Sequence, residues 1–147
     1  MATTVQIYNH FGLGKLDGTF ELDVDPLRIA LLTSAYVFDA EHNEFADVVA
    51  AEVAAGNGYT TGGVALTGVV ASRAAGVGRL SANPAQWLNL TKTFRFAVLY
   101  ASKSVNGLVN PLIACFLIDN TPADIVVAAT DYSLRWPGNL VLTTQPL

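Results

Sequence analysis

Residues 92–101 alternate with a period of two: Phe94, Phe96, Val98 and Tyr100 fall on one side, Thr93, Arg95, Ala97 and Leu99 on the other. An extended strand puts two such sets on opposite faces, whereas a helix would scatter both around its circumference. Shorter runs of the same character recur at 27–35, 64–73, around Val77, and at 125–130, 132–136 and 140–143, with Gly, Pro, Asn and Asp between them. About seven short strands with turn signals about 8–12 residues apart predict a mainly β chain, an antiparallel β-sandwich or barrel. Residues 112–119 are apolar on both faces, which predicts a central strand covered on either side. Gly68 marks a bulge or a close backbone approach, and Pro137-Gly138-Asn139 marks a turn before the last strand.

Two segments depart from this pattern. Between 39 and 56, Asp39 or Asn43 can cap a short α-helix, Phe45, Val48, Val49 and Val53 form its apolar stripe, and Gly56 sits where it ends. Residues 1–25 mix single apolar residues with turn formers and read as an extended N-terminal arm, with Val5, Ile7 and Tyr8 along it, or as a first hairpin turning at Asp17-Gly18. The whole chain, 1–147, reads as one domain.

Charge narrows the function. Hydrophobic residues make up 52% of the chain and charged residues 14%, against about 25% charged in an ordinary soluble domain. A monomer rarely tolerates apolar patches above a few hundred Å², so surplus apolar surface predicts contacts with copies of itself or with other proteins. A net charge of −4 with eight scattered Lys and Arg argues against a nucleic-acid partner. No apolar run approaches the roughly 20 residues of a spanning helix, and no secretory leader is visible, so no membrane partner and a cytosolic site of assembly are expected.

No catalytic or cofactor constellation emerges. His10 and His42 are the only imidazoles, no Gly-x-Ser-x-Gly elbow exists, and Cys115 lies in apolar sequence with no cation to activate it. Zinc ligation lacks partners at ligand spacing. Calcium has candidate oxygens at Asp23 and Asp25 and at Asp119, Asn120, Thr121 and Asp124, which turn chemistry explains better. The same carboxylate pairs are the ones a polysaccharide hydrolase would need. Neither Gly12-Leu13-Gly14-Lys15 nor 58–63 matches a phosphate-binding loop. No catalytic, metal or cofactor residue is therefore assigned.

What remains are interface candidates: Val5, Ile7, Tyr8, Phe11, Tyr59, Trp136 and Leu147. Trp87 reads as a plug at one end of the core, whereas Trp136 with Asp131 and Asn139 forms the nearest thing to a glycan-binding cluster.

The ordered set Leu31-Leu32-Thr33-Ser34-Ala35-Tyr36, Glu41-His42, Phe45-Ala46-Asp47-Val48, Gly58-Tyr59-Thr60-Thr61-Gly62-Gly63, Ala85-Gln86-Trp87 and 94–100 resembles small virion proteins of tailed bacteriophages. That resemblance spans the chain from about Leu27 onward and implies a structural subunit of the virion. A head decoration or cement protein bound to the major capsid protein is the first expectation, and a tail or fibre component recognising a host receptor or glycan the second. It supplies no catalytic residue. Its Gly-Tyr-Thr-x-Gly-Gly element is expected to be a tight turn anchored by Tyr59, with Gly62 and Gly63 at positive φ.

Overall fold

The computed structural model describes residues 4–119, 121, 123–136 and 140–143. In chain order the elements are β1 (Thr4–Ile7), α1 (His10–Asp17), β2 (Leu27–Leu32), β3 (Val64–Ala65), β4 (Val70–Ala74), β5 (Val77–Ser81) and β6 (Ala85–Phe94). They continue with β7 (Phe96–Ala101), β8 (Ser104–Val105), β9 (Leu108–Val109), β10 (Leu112–Leu117), β11 (Ile125–Leu134) and β12 (Leu142–Thr143). All strand pairs are antiparallel, and the fold is mainly β and sandwich-like, as the periodicity predicts.

A five-stranded sheet in the order β1-β10-β7-β2-β3 forms the middle of the molecule. Period two sends its side chains into two separate cores. Leu27, Ile29, Leu31, Ala97, Leu99 and Phe116 enter the main core, where Trp87, Leu90 and Phe94 of β6 and Leu134 of β11 meet them. On the opposite face Ala30, Leu32, Val98, Tyr100 and Cys115 pack under Tyr36, Phe45 and Val48 from the 33–53 segment. The paired β6 and β11 and the small sheet β12-β5-β4 complete the main-core side. The strand at 112–117 is covered on both faces, as its sequence predicts.

Three expectations need correction. First, residues 92–101 are not one strand. The chain leaves the ladder at Arg95, whose N–H donates to the Leu32 carbonyl (2.9 Å) and whose guanidinium pairs with Asp124 (2.9 Å). Phe94 therefore enters the main core while Phe96 packs on the second, because breaking the pleat re-aims every side chain beyond it.

Second, no α-helix spans 45–53. Two 3-10 turns, Phe45–Asp47 and Val49–Ala51, replace it, the first capped by a reciprocal Glu44–Asp47 box. Ala51 accepts from the Thr33 N–H and the Val53 N–H donates to Leu31, so backbone groups a helix would use internally are bonded to β2 and its extension. The β-branched Val48, Val49 and Val53 give a helix little intrinsic support against that competition.

Third, residues 4–25 form neither an extended arm nor a hairpin. β1 pairs with β10, and Asp17-Gly18 ends α1, with Gly18 as a left-handed cap at φ 83°. Gly12 and Gly14 disguise this helix in the sequence, since glycine lowers helix propensity. Gly14 is there for space: a Cβ would strike the Phe20 ring.

Candidate interaction surface

The two outer edges of the central sheet differ in chemistry. At the β3 edge, Gly62 and Gly63 take φ of 90° and 79°, as the turn reading predicts, and a Cβ on Gly63 would fall on the Ile29 carbonyl. The Glu52 carboxylate accepts from the Tyr59 hydroxyl (2.7 Å) and the Gly62 N–H (2.6 Å), while Tyr59 accepts from the Leu31 N–H (3.1 Å). Arg28 donates to the Gly63 carbonyl (2.7 Å) and Tyr100 to the Gly62 carbonyl (2.6 Å). Burial, then the bond to Glu52, pushes the Tyr59 hydroxyl well above its ordinary value, so it stays protonated and keeps donating. This polar knot folds the Gly-Tyr-Thr-Thr-Gly-Gly element over the sheet edge, and the element's amides are turning the chain.

The β1 edge is open. The Tyr8 N–H donates to the Ile113 carbonyl (3.2 Å), and alternate residues of an antiparallel ladder face the partner strand. Thr4 and Gln6 therefore share Tyr8's orientation, and Val5 and Ile7 present their N–H and C=O groups outward. Their side chains lie on the main-core face, opposite Phe116 and Ala114. Among the described residues nothing closes over them: Val5 is 39% and Ile7 42% exposed. Leu13 and Leu16, three apart on α1, are 65% and 87% exposed.

Two adjoining clefts flank this edge. The first, about 240 Å³, is walled by Ile7, Phe11, Leu22, Leu80 and Leu142, with Lys15 and Arg79 its only charged lining residues among those described. The second, about 350 Å³, lies between Val5 and Ile7 on one side and residues 140–143 on the other. Lys15 holds its ammonium 5.3 Å from the Phe11 ring centroid.

Of the interface candidates, only Val5 and Ile7 are accessible. Tyr8, Phe11, Tyr59 and Trp136 are buried in the chain's own cores, which corrects their reading as outward anchors. Tyr8 bonds Tyr36 (2.8 Å), Phe11 packs on Phe20, and the Trp136 indole donates to the Asn83 carbonyl (3.1 Å) while its ring meets Phe116. Each aromatic satisfies its polar tip or apolar face within the chain. Leu147 lies outside the described residues, as does Asn139 of the glycan cluster. Trp136 has no free face for a sugar, and Asp131 is engaged by the Asn89 N–H (2.8 Å). The signal for the β1 surface was present in the Val5 and Ile7 alternation; α1 with its exposed leucines was hidden by its glycines.

Three of the four candidate carboxylates, Asp25, Asp119 and Asp124, are also committed. Asp25 accepts from Lys103 (2.7 Å) and the Glu21 N–H (2.8 Å), Asp124 pairs with Arg95, and Asp119 caps Thr121. Among the described residues no cluster of three or more His, Cys, Asp or Glu is placed to hold a metal ion. Burial pushes the Cys115 thiol up to about 12, away from reactivity. The backbone bonds from Asn43 and Glu44 hold the Asp47 carboxyl below its ordinary value, with smaller contributions from the nearby His42 and His10 side chains. Among the described residues no helix is long and apolar enough to cross a membrane.

No protein-family model, curated protein or solved structure matches this chain.

Proposed function

We propose that this chain is a non-enzymatic structural subunit of a tailed-bacteriophage particle, a head decoration or cement protein that binds neighbouring capsid subunits and copies of itself. The motif order from Leu31 to Tyr100 supplies the phage reading. The observation that carries the binding role is the exposed apolar pair Val5 and Ile7 on a strand edge that no strand among the described residues pairs with. Apolar side chains and free backbone groups at one place suit protein–protein contact, with affinity from main-chain bonds and specificity from pockets. The engagement of Asp25, Asp119 and Asp124 in ion pairs and turn bonds supports a non-catalytic role.

Immunogold labelling of the virion, with size-exclusion chromatography and light scattering of the purified chain mixed with capsids, tests this reading. Label on the head and co-elution with capsids are expected. Label confined to the tail transfers the role to a tail or fibre component, and a clean monomer with no affinity for any particle component overturns the reading.

A further inference from the structure

We propose that the outer edge of β1 receives an extended strand from another polypeptide, one with apolar side chains at alternate positions and a carboxylate at the end that reaches Lys15 and Arg79. The outward N–H and C=O groups of Val5 and Ile7 have the spacing of a ladder with one side missing, and no strand among the described residues pairs there. On an added strand, side chains on one face recur about every 7 Å. Such side chains would drop into the two clefts that share Ile7, Leu142 and Thr143.

Charge selects the occupant. Lys15 and Arg79 border the same apolar cleft, and among the described residues no acid lines it and neither cation forms an ion pair. Both side chains are exposed, and opposite charge at the rim of an interface steers and orients a partner. A second copy offering its own β1 fits poorly, since Thr4, Val5, Gln6 and Ile7 carry no carboxylate. The inference rests on the structural-subunit reading for one point only, that the strand comes from a neighbouring subunit of the particle.

The test measures fluorescence anisotropy of two labelled peptides with the full chain: one alternating Val and Thr and ending in two Glu, the other identical but ending in two Gln and amidated. Saturable binding of the acidic peptide is expected, falling about tenfold in the Lys15→Ala/Arg79→Ala double variant and with added salt. The Val5→Pro variant removes one outward N–H and leaves the β10 pairing, because proline is tolerated where an edge N–H faces solvent. It is expected to lose at least about tenfold in affinity while keeping the native near-UV spectrum. Ile7→Lys, which fills the cleft with a charged side chain, gives the same readout should Val5→Pro fail to fold. The proposal is overturned by no saturable binding, by equal binding of both peptides, or by undiminished binding in a folded Val5→Pro or Ile7→Lys. A concentration-dependent dimer abolished by Val5→Pro, with no peptide uptake, also overturns it and names a second copy as the occupant. Capsid association without peptide uptake defeats this inference alone, and peptide uptake without capsid association defeats the capsid reading alone.

Discussion

The central sheet ends in two edges that solve the same problem in opposite ways. At β3 the edge strand is two residues long, and the Gly62-Gly63 turn is locked over it by Arg28, Glu52, Tyr59 and Tyr100. At β1 four residues run along β10 with Val5 and Ile7 half exposed and no covering element among the described residues. Unpaired edges invite association, and proteins usually shorten or cover them. The contrast teaches that this chain has the means to close an edge and leaves one available, which is why the β1 side carries the functional proposals. It also revises the composition argument. Much of the apolar surplus is consumed internally, because the sheet is buried on both faces and supports two cores. Part of the apolar surface left for partners, Val5 and Ile7, lies on the open edge of the sheet.

Breaking the closed edge should cost most. Gly63→Ala places a Cβ on the Ile29 carbonyl at a φ that disfavours side chains, and we expect a loss of roughly 4 kcal/mol or outright failure to fold, read by urea denaturation. In the middle of the sheet, Leu99→Ala empties a fully buried site and should cost roughly 2–5 kcal/mol by the same measurement. Tyr59→Phe leaves the Leu31 N–H without its acceptor and the Glu52 carboxylate with the Gly62 N–H but no hydroxyl donor; a loss of roughly 1–3 kcal/mol is expected, and none would mean the knot is ornamental to stability.

The open edge should be cheap to change. Ile7→Thr keeps the β10 pairing and removes apolar surface from a side chain already 42% exposed. Stability is expected to move by no more than about 0.5 kcal/mol in chemical denaturation, while capsid or peptide association weakens. The smallest effect is a pH dependence at the junction of β1 and α1. Burial lowers the His10 imidazole below its ordinary 6.5 despite opposing contributions from the Leu112 backbone and Asp47. The unfolded chain therefore binds more protons as pH falls below 6.5, so the stability His10 supports is present above that value and lost toward its folded value. Denaturation midpoints measured on both sides of pH 6.5 should fall on the acid side, and His10→Gln should flatten that slope.

Local pattern was readable wherever a residue's surroundings are set by its own strand. The two-sided apolarity of 112–117 forecast a strand covered on both faces, the alternation at 27–32 forecast one of the two faces that β2 buries, and the glycines at 62 and 63 forecast positive φ. The β1 surface was half legible, because Val5 and Ile7 alternate as edge residues do. Tyr8, Phe11, Tyr59 and Trp136 were misread as outward anchors because a single aromatic beside a turn looks the same whether it faces a neighbour or a core.

The amino-acid order alone determined that this is a strand-built chain with a buried thiol, turning glycines and too little charge to cover itself evenly. Only the tertiary structure decided that α1 forms despite two glycines, that 45–53 winds as 3-10 turns, and that Phe94 and Phe96 part company at Arg95. In each case a partner distant in sequence supplies the deciding contact: Phe20 closing on Gly14, β2 taking the backbone bonds of 51 and 53, Leu32 and Asp124 holding Arg95 out of the ladder. Periodicity reports a residue's own backbone, and such distant contacts leave no trace in it.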